Sequence, residues 1–371
     1  MVDIRVCTKI VFDFMERQHA IFFDFLRFCI GSESEIPPSL KEADWKELYR
    51  IAQKQCLVGI LFDGIQKLPP AEVGMSKDLL LQWMMQCQML EKANVRLNDA
   101  AIQVSEWFQK KGFRTCILKG QGNALMYPNP YSRTPGDIDI WVEGGDKRVI
   151  SFVRSISPHE KACYHHIEFP SYKGVEVEVH YRPSFLLCFW HNRKLQKYYE
   201  RVKEEQFSHR VILGEQGEIA IPTVEFNLIF QLTHIYAHLM NEGIGLKQLL
   251  DYYFVLLHAD IENVDELQRN LKNIGLWKFA SAIMYIMQEM FGMPASRIIV
   301  PPNEKYGKFV LNEVLEAGNF GKHDERNRFG RSKLGHNLQR VYRDMRLVRY
   351  FPTEALSEPF FRVWHFFWRL R

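Results

Sequence analysis

The stretch "RTPGDIDIWV", Arg133 to Val142, sets two aspartates one residue apart at the head of an apolar, β-branched and aromatic run, directly behind a Pro-Gly breaker. Such a run reads as a strand, and on a strand successive side chains leave opposite faces. Asp137, Asp139 and Trp141 therefore share one face, and Ile138, Ile140 and Val142 share the other. Two carboxylates side by side repel each other, and both stay ionised at neutral pH most easily with a divalent cation between them. The plain alternative is a half-exposed strand whose wet face simply carries polar residues.

The neighbourhood weighs against that alternative. In "VEVEVH", Val175 to His180, Glu176, Glu178 and His180 alternate with three valines, so a second strand offers a further carboxylate to the same cation, either Glu176 or Glu178. Magnesium takes oxygen ligands and keeps waters and substrate phosphates among them, so two or three carboxylates on adjacent strands suffice. Upstream, "LKGQGNALM" puts Lys119, Gly120 and Gly122 where a strand end opens into a helix. A helix start with glycine beside it is an anion site and a lysine adds charge for phosphate, although a Lys-Gly pair is also an ordinary turn.

Three textures run along the 371 residues. Residues 1–110 carry helical spacing, as in "DWKELYRIAQKQCLVGILFDGIQKL", with Pro37-Pro38 and Pro69-Pro70 as punctuation. Residues 111–222 shorten to a strand period: "RTCILKG", "DIDIWV" and "GVEVEVHYRP", then "RVILGEQGEIAIP", which predicts a hairpin closing on the turn from Gly214 to Gly217. Residues 223–371 are helical again, opening with Pro222, a Thr223 cap and Glu225 in the first turn. The expectation is an α+β protein: a small mixed sheet between an N-terminal and a C-terminal helical region.

Composition narrows the class. Hydrophobic residues make up 47% and charged residues 25%, as in soluble globular proteins. The net charge of +4 comes from 48 basic and 44 acidic residues that are interspersed, so no polyanion-binding tail and no stable nucleic-acid partner are implied. The seven cysteines are odd in number and never in a Cys-x-x-Cys pair, which predicts neither a disulfide framework nor a zinc knuckle. Charges at Asp3, Arg5, Lys9, Asp13, Glu16 and Arg17 break any secretory leader, and the longest uncharged run, Phe226 to Asn241, is too short to span a bilayer. A cytoplasmic protein without a membrane partner is expected.

"ILKGQGNALMYPNPYSRTPGDIDIWV", followed by "YHHIEF" and "GVEVEVHYRPS", resembles the bacterial family of uncharacterised nucleotidyltransferases within the DNA polymerase β-like superfamily. The specific part spans Leu118 to Arg182, and looser similarity reaches "GIGLKQLLDYYFVL", Asp44-Trp45 and the "GNFG" at Gly318 to Gly321. The resemblance implies that Asp137, Asp139 and Glu178 hold magnesium and that Glu178 doubles as a base. It also implies that Lys119 and Gly120 face a nucleoside triphosphate, and that Lys247 and Asp251 approach the nucleotide. Two positions depart from the pattern: Leu-Lys-Gly stands where the superfamily has Gly-Ser, and Lys247 stands where the family has arginine, keeping the charge but not the bidentate fork.

Several side chains carry two readings. Lys247 and Asp251, four apart, form either an ordinary intrahelical ion pair or part of the nucleotide site. Arg133 either bridges phosphate or caps its loop. His234 and His238 lack the glutamate of a zinc-protease helix and read as packed histidines, while of His165 and His166 only one, taken as His166, can face the carboxylates. The C-terminal "PFFRVWHFFWRLR" reads as docked on the helical layer.

The function expected is magnesium-dependent transfer of a nucleoside monophosphate from the triphosphate to a hydroxyl or amine of a protein, RNA or small-molecule acceptor, releasing pyrophosphate. The runner-up is a non-catalytic nucleotide-binding or interaction module on the same fold. A glycosyltransferase using Asp-x-Asp ranks last, because no series of strand-helix repeats precedes the motif.

Overall fold

The computed structural model describes residues 4–70, 73–214, 217–261, 263–322, 324, 326 and 333–370. Four helices come first: α1 (Ile4–Ile30), α2 (Trp45–Lys54), α3 (Val58–Lys67) and α4 (Lys77–Lys110). The mixed region follows with β1 (Thr115–Leu118), α5 (Gly120–Ala124), β2 (Ile138–Val142), α6 (Gly145–Ile156), β3 (His166–Tyr172), β4 (Val175–His180), α7 (Phe189–Ser208), β5 (Arg210–Leu213) and β6 (Gly217–Ala220). The remainder is helical: α8 (Val224–Asn241), α9 (Leu246–His258), α10 (Val264–Ile274), α11 (Trp277–Phe291), α12 (Glu304–Ala317), α13 (Lys333–Leu347) and α14 (Pro352–Arg369). This is the expected α+β arrangement.

Helix starts follow the capping residues in the sequence. Asp44 accepts from the amides of Lys46 and Glu47, Ser76 from Leu79, and Thr223 from Phe226. The four-stranded sheet runs β1-β2-β4-β3, with β2 antiparallel to β1 and parallel to β4, and β3 antiparallel to β4. The hairpin β5-β6 forms as expected; its tip, residues 215–216, lies outside the described residues.

Apolar packing explains why β2 is the middle of the machine. Ile117, Ile138, Ile140, Val177 and Val179 pack with Ala100, Val104 and Phe108 of α4 and Val149 and Val153 of α6. The opposite side contributes Cys116, Leu118 and Trp141 to a larger core that also holds residues of α1 to α4 and α8 to α12. All five residues of β2 are buried. The half-exposed strand considered from the sequence is thereby overturned: Asp139 sits in the interior, 4% exposed, where a lone carboxylate is costly and needs cationic partners.

The loop leading into β2 is clamped by the N-terminal helices. A Cβ on Gly59 of α3 would stand 2.2 Å from the Ser132 carbonyl oxygen, so only glycine permits this approach. Asn94 of α4 donates to the carbonyls of Tyr131 and Arg133 at 2.8 and 2.9 Å, and Thr134 Oγ1 donates to the Cys56 carbonyl at 2.7 Å.

The C-terminal aromatic segment docks by one side only. In α14, Phe361, Trp364 and Trp368 pack around Tyr164, and Phe361 also stacks on Phe185. Phe360, Val363 and Phe367 remain 79%, 61% and 61% exposed, which corrects the expectation that the segment's aromatics are covered. Among the described residues no helix is long and apolar enough to cross a membrane.

Candidate active site

Parallel pairing of β2 with β4 sets Asp139 beside Glu178, and the carboxylate oxygens of Asp137, Asp139 and Glu178 all lie within 4.8 Å of one another. Glu178, two residues nearer the β4 end than the exposed Glu176, is therefore the third member of the cluster. Such a set of hard oxygen donors suits magnesium.

Cationic side chains hold the cluster together. Lys119 Nζ is 2.9 Å from Asp139 Oδ1, and His180 Nε2 is 2.9 Å from the same oxygen. Burial alone would raise the Asp139 carboxyl, but Lys119 and His180 hold it well below its ordinary range. Burial would likewise lower His180, but its contacts with Asp139 and Glu178 raise it to about 9. Asp137 lacks such close partners, and the Asp139 charge, followed by burial, pushes it up to about 6. Without a further cation the three carboxylates are thus short of positive charge, which is what a metal site made of carboxylates shows.

Lys119 reaches Asp139 from an unusual backbone. Its φ of 51° is positive for a side-chain-bearing residue and marks a strained turn between β1 and α5. Gly120 follows at φ +34°, and a Cβ there would stand 3.9 Å from the Asp137 carbonyl oxygen. The turn therefore brings backbone and ammonium to the carboxylates together.

Two compartments flank this wall and share Lys119, Asp137, His234 and Phe320. The narrower, about 50 Å³, is lined further by Asn123, Arg133, Asp139, Lys247 and Asp251. The wider, about 550 Å³, opens past Glu178, His165, His166 and His180 towards Phe361 and Arg362 of α14.

The narrow compartment settles the two readings of its charged residues. Arg133 Nε and Nη2 bind the Asp251 carboxylate at 2.7 and 2.8 Å, and Tyr127 donates to the same group at 2.7 Å. The intrahelical Lys247–Asp251 pair is thereby replaced: Asp251 is engaged by a partner 118 residues away in the chain, and Arg133 ties the loop to α9. Lys247 is left, among the described residues, without a hydrogen bond or ion pair, its Nζ close to Gly136. Burial, then the nearby Arg133, lowers it to about 8. Asn123 Nδ2, also buried, has no partner among the described residues, although Gln231 donates to its Oδ1 at 2.7 Å. A buried free ammonium and a free amide donor in one pocket form a receptor for an anion.

The histidines divide. His166 Nδ1 is 3.3 Å from Glu178 Oε2, as expected of that position, while His165 packs on His166, His180 and Phe185. His234 contacts Lys119 Nζ at 3.3 Å and His238 packs on Phe320, and neither belongs to a metal-ligating group among the described residues. His180, Asn94, Asn123 and Phe320 were not singled out from the sequence. Only His180 carried a signal there, its alternation with Glu178.

A model of the family described as "Uncharacterised nucleotidyltransferase" matches residues 41–292, more than half of the chain. Among solved structures, one similar to this chain is the crystal structure of an antigenic nucleotidyltransferase-like protein from Paracoccidioides brasiliensis, at 15% identity, covering 56% of this chain and 94% of that one with a TM-score of 0.30. No curated protein matches.

Proposed function

The chain belongs to this uncharacterised nucleotidyltransferase family, and from that premise we propose that it transfers a nucleoside monophosphate from a nucleoside triphosphate to a hydroxyl or amine, with magnesium and with release of pyrophosphate. The observation that carries the reading is the convergence of Asp137, Asp139 and Glu178 from two parallel strands.

In this reading the three carboxylates hold magnesium, which when bound supplies positive charge at the reacting phosphate and lowers the pKa of the acceptor. Lys247, the Gly120 backbone and Asn123 receive the triphosphate tail in the narrow compartment, and Lys119 balances Asp139 beside it. The tail alone matches that volume; nucleoside and acceptor belong in the wider cleft, whose size is that of a small-molecule site. Acceptor oxygen or nitrogen forms a bond to the α-phosphorus as the bond to the β-phosphate oxygen breaks, and pyrophosphate leaves with the electron pair. Glu178, facing the wider cleft, takes the acceptor's proton. Arg133 and Asp251 act by fixing the loop between α5 and β2 against α9. We assign the nucleotide chemistry to residues 111–222 and the cleft walls to the helical parts, 1–110 and 223–371. The DNA polymerase β-like superfamily and a cytoplasmic setting complete the reading.

The test is incorporation of α-labelled nucleotide into a lysate by wild type and by Asp139→Asn. Magnesium-dependent labelling of protein, RNA or a small molecule by wild type, lost in the variant with the fold intact, is expected; undiminished labelling by Asp139→Asn overturns the reading. A second reading, nucleotide binding without transfer, is favoured by the engagement of Arg133 with Asp251, and magnesium-dependent binding with no labelled product would select it.

A further inference from the structure

We propose that His166, His180 and Glu178 form a second metal site, one for a divalent transition ion such as zinc, beside the three-carboxylate cluster and sharing Glu178 with it. His166 and His180 are directly paired across the antiparallel strands β3 and β4, so both imidazoles leave the same sheet face as Glu178, two residues along. Their potential ligand atoms all lie within 4.8 Å of one another.

The distances separate ligation from hydrogen bonding. Glu178 Oε2 is 3.3 Å from His166 Nδ1 and 3.4 Å from His180 Nε2. Charge-assisted hydrogen bonds between nitrogen and carboxylate oxygen are shorter, about 2.7–2.9 Å. Two ligands each about 2.0–2.2 Å from a tetrahedral zinc stand roughly 3.4 Å apart, which is the separation found. The donor set also differs from its neighbour's. Two imidazoles and one carboxylate are borderline ligands that select zinc, cobalt or manganese, whereas three carboxylates select magnesium. The two strands supply a rigid base, and His165 Nε2 lies 3.0 Å from His166 Nδ1, next to the ring that would have to orient. The site faces the wider cleft, so positions not filled by protein point to where an acceptor would enter.

Metal binding needs no nucleotide, so the test stands apart from the transferase reading. The metal-free full-length protein is titrated with zinc by calorimetry, and with cobalt while its visible absorption is recorded. One equivalent of zinc, and a cobalt spectrum of four-coordinate intensity, are expected. His166→Gln, on the edge strand, should weaken zinc at least about tenfold. Asp137→Asn, which leaves all three proposed ligands in place, should keep zinc affinity within about threefold while magnesium-dependent nucleotide binding falls. Circular dichroism confirms that each variant is folded, and His166→Cys, which restores a zinc ligand, should recover binding if the loss came from ligation. Absence of zinc binding to wild type, equal affinity in His166→Gln, or a matching loss in Asp137→Asn overturns the proposal.

Discussion

Lys247 carries the sharpest consequence at the scale of one residue, because it is a buried ammonium without a carboxylate of its own. Its folded value of about 8 lies below the ordinary 10.5, so the unfolded chain binds the proton more tightly. The stability penalty is therefore full below pH 8, shrinks as pH rises, and is gone above the unfolded value. Lys247→Met should stabilise the protein at pH 7 by on the order of 2–3 kcal/mol in urea unfolding, with the gain vanishing near pH 10.5. A site that keeps such a cost is tuned for something else, and a triphosphate would raise the lysine again. Nucleotide binding near pH 9 should then take up part of a proton, seen as a dependence of calorimetric enthalpy on the buffer's ionisation enthalpy. Equal uptake by Lys247→Met would show that another group takes the proton. Sequence made this residue visible only through resemblance; its lack of a partner depends on Arg133 having taken Asp251, which no local spacing encodes.

Between elements, the pair that took Asp251 joins the loop before β2 to α9, and both members are buried. Removing one member leaves an uncompensated charge inside the protein, which costs about 3–5 kcal/mol, whereas replacing both with apolar residues is often nearly neutral. Arg133→Met should therefore lower unfolding free energy by roughly that amount, while Arg133→Met with Asp251→Leu should recover most of it. A small loss in the single variant would mean that the guanidinium is held for ligand instead of structure. The strands themselves were legible: the alternation in "DIDIWV" and "VEVEVH" and the breakers around them gave β2 and β4. Their order was not. Whether Glu176 or Glu178 meets Asp139 depends on parallel pairing and register, set by burial of Ile138, Ile140, Val177 and Val179 against α4 and α6. His180 stayed unread for the same reason, since its partner Asp139 is on another strand.

For the molecule as a whole, the question is what the helices add to a four-stranded sheet. The N-terminal helices clamp the loop that carries Asp137, through Gly59, Cys56 and Asn94, and the C-terminal helices close the far wall of the wider cleft. The chain end returns to do so: Glu354 accepts from the amides of Leu187 and Cys188 at 2.7 and 3.1 Å, pinning α14 to the start of α7. From there α14 sets Phe361 on Phe185 with ring centroids 5.1 Å apart. No residue of α14 lines the narrow compartment. If the compartments divide phosphate tail from acceptor, a change in α14 should reach one substrate only. Phe361→Ala should thus leave the nucleotide dissociation constant within about twofold and raise the acceptor KM about tenfold, the effect of losing roughly 1.4 kcal/mol of contact with one partner. Equilibrium binding of the triphosphate and steady-state kinetics with the identified acceptor measure the two separately. A parallel loss in both would mean that nucleoside and acceptor share the aromatic wall, and the cleft would then have to be redrawn as a single nucleotide site with the acceptor arriving from the exposed side of α14.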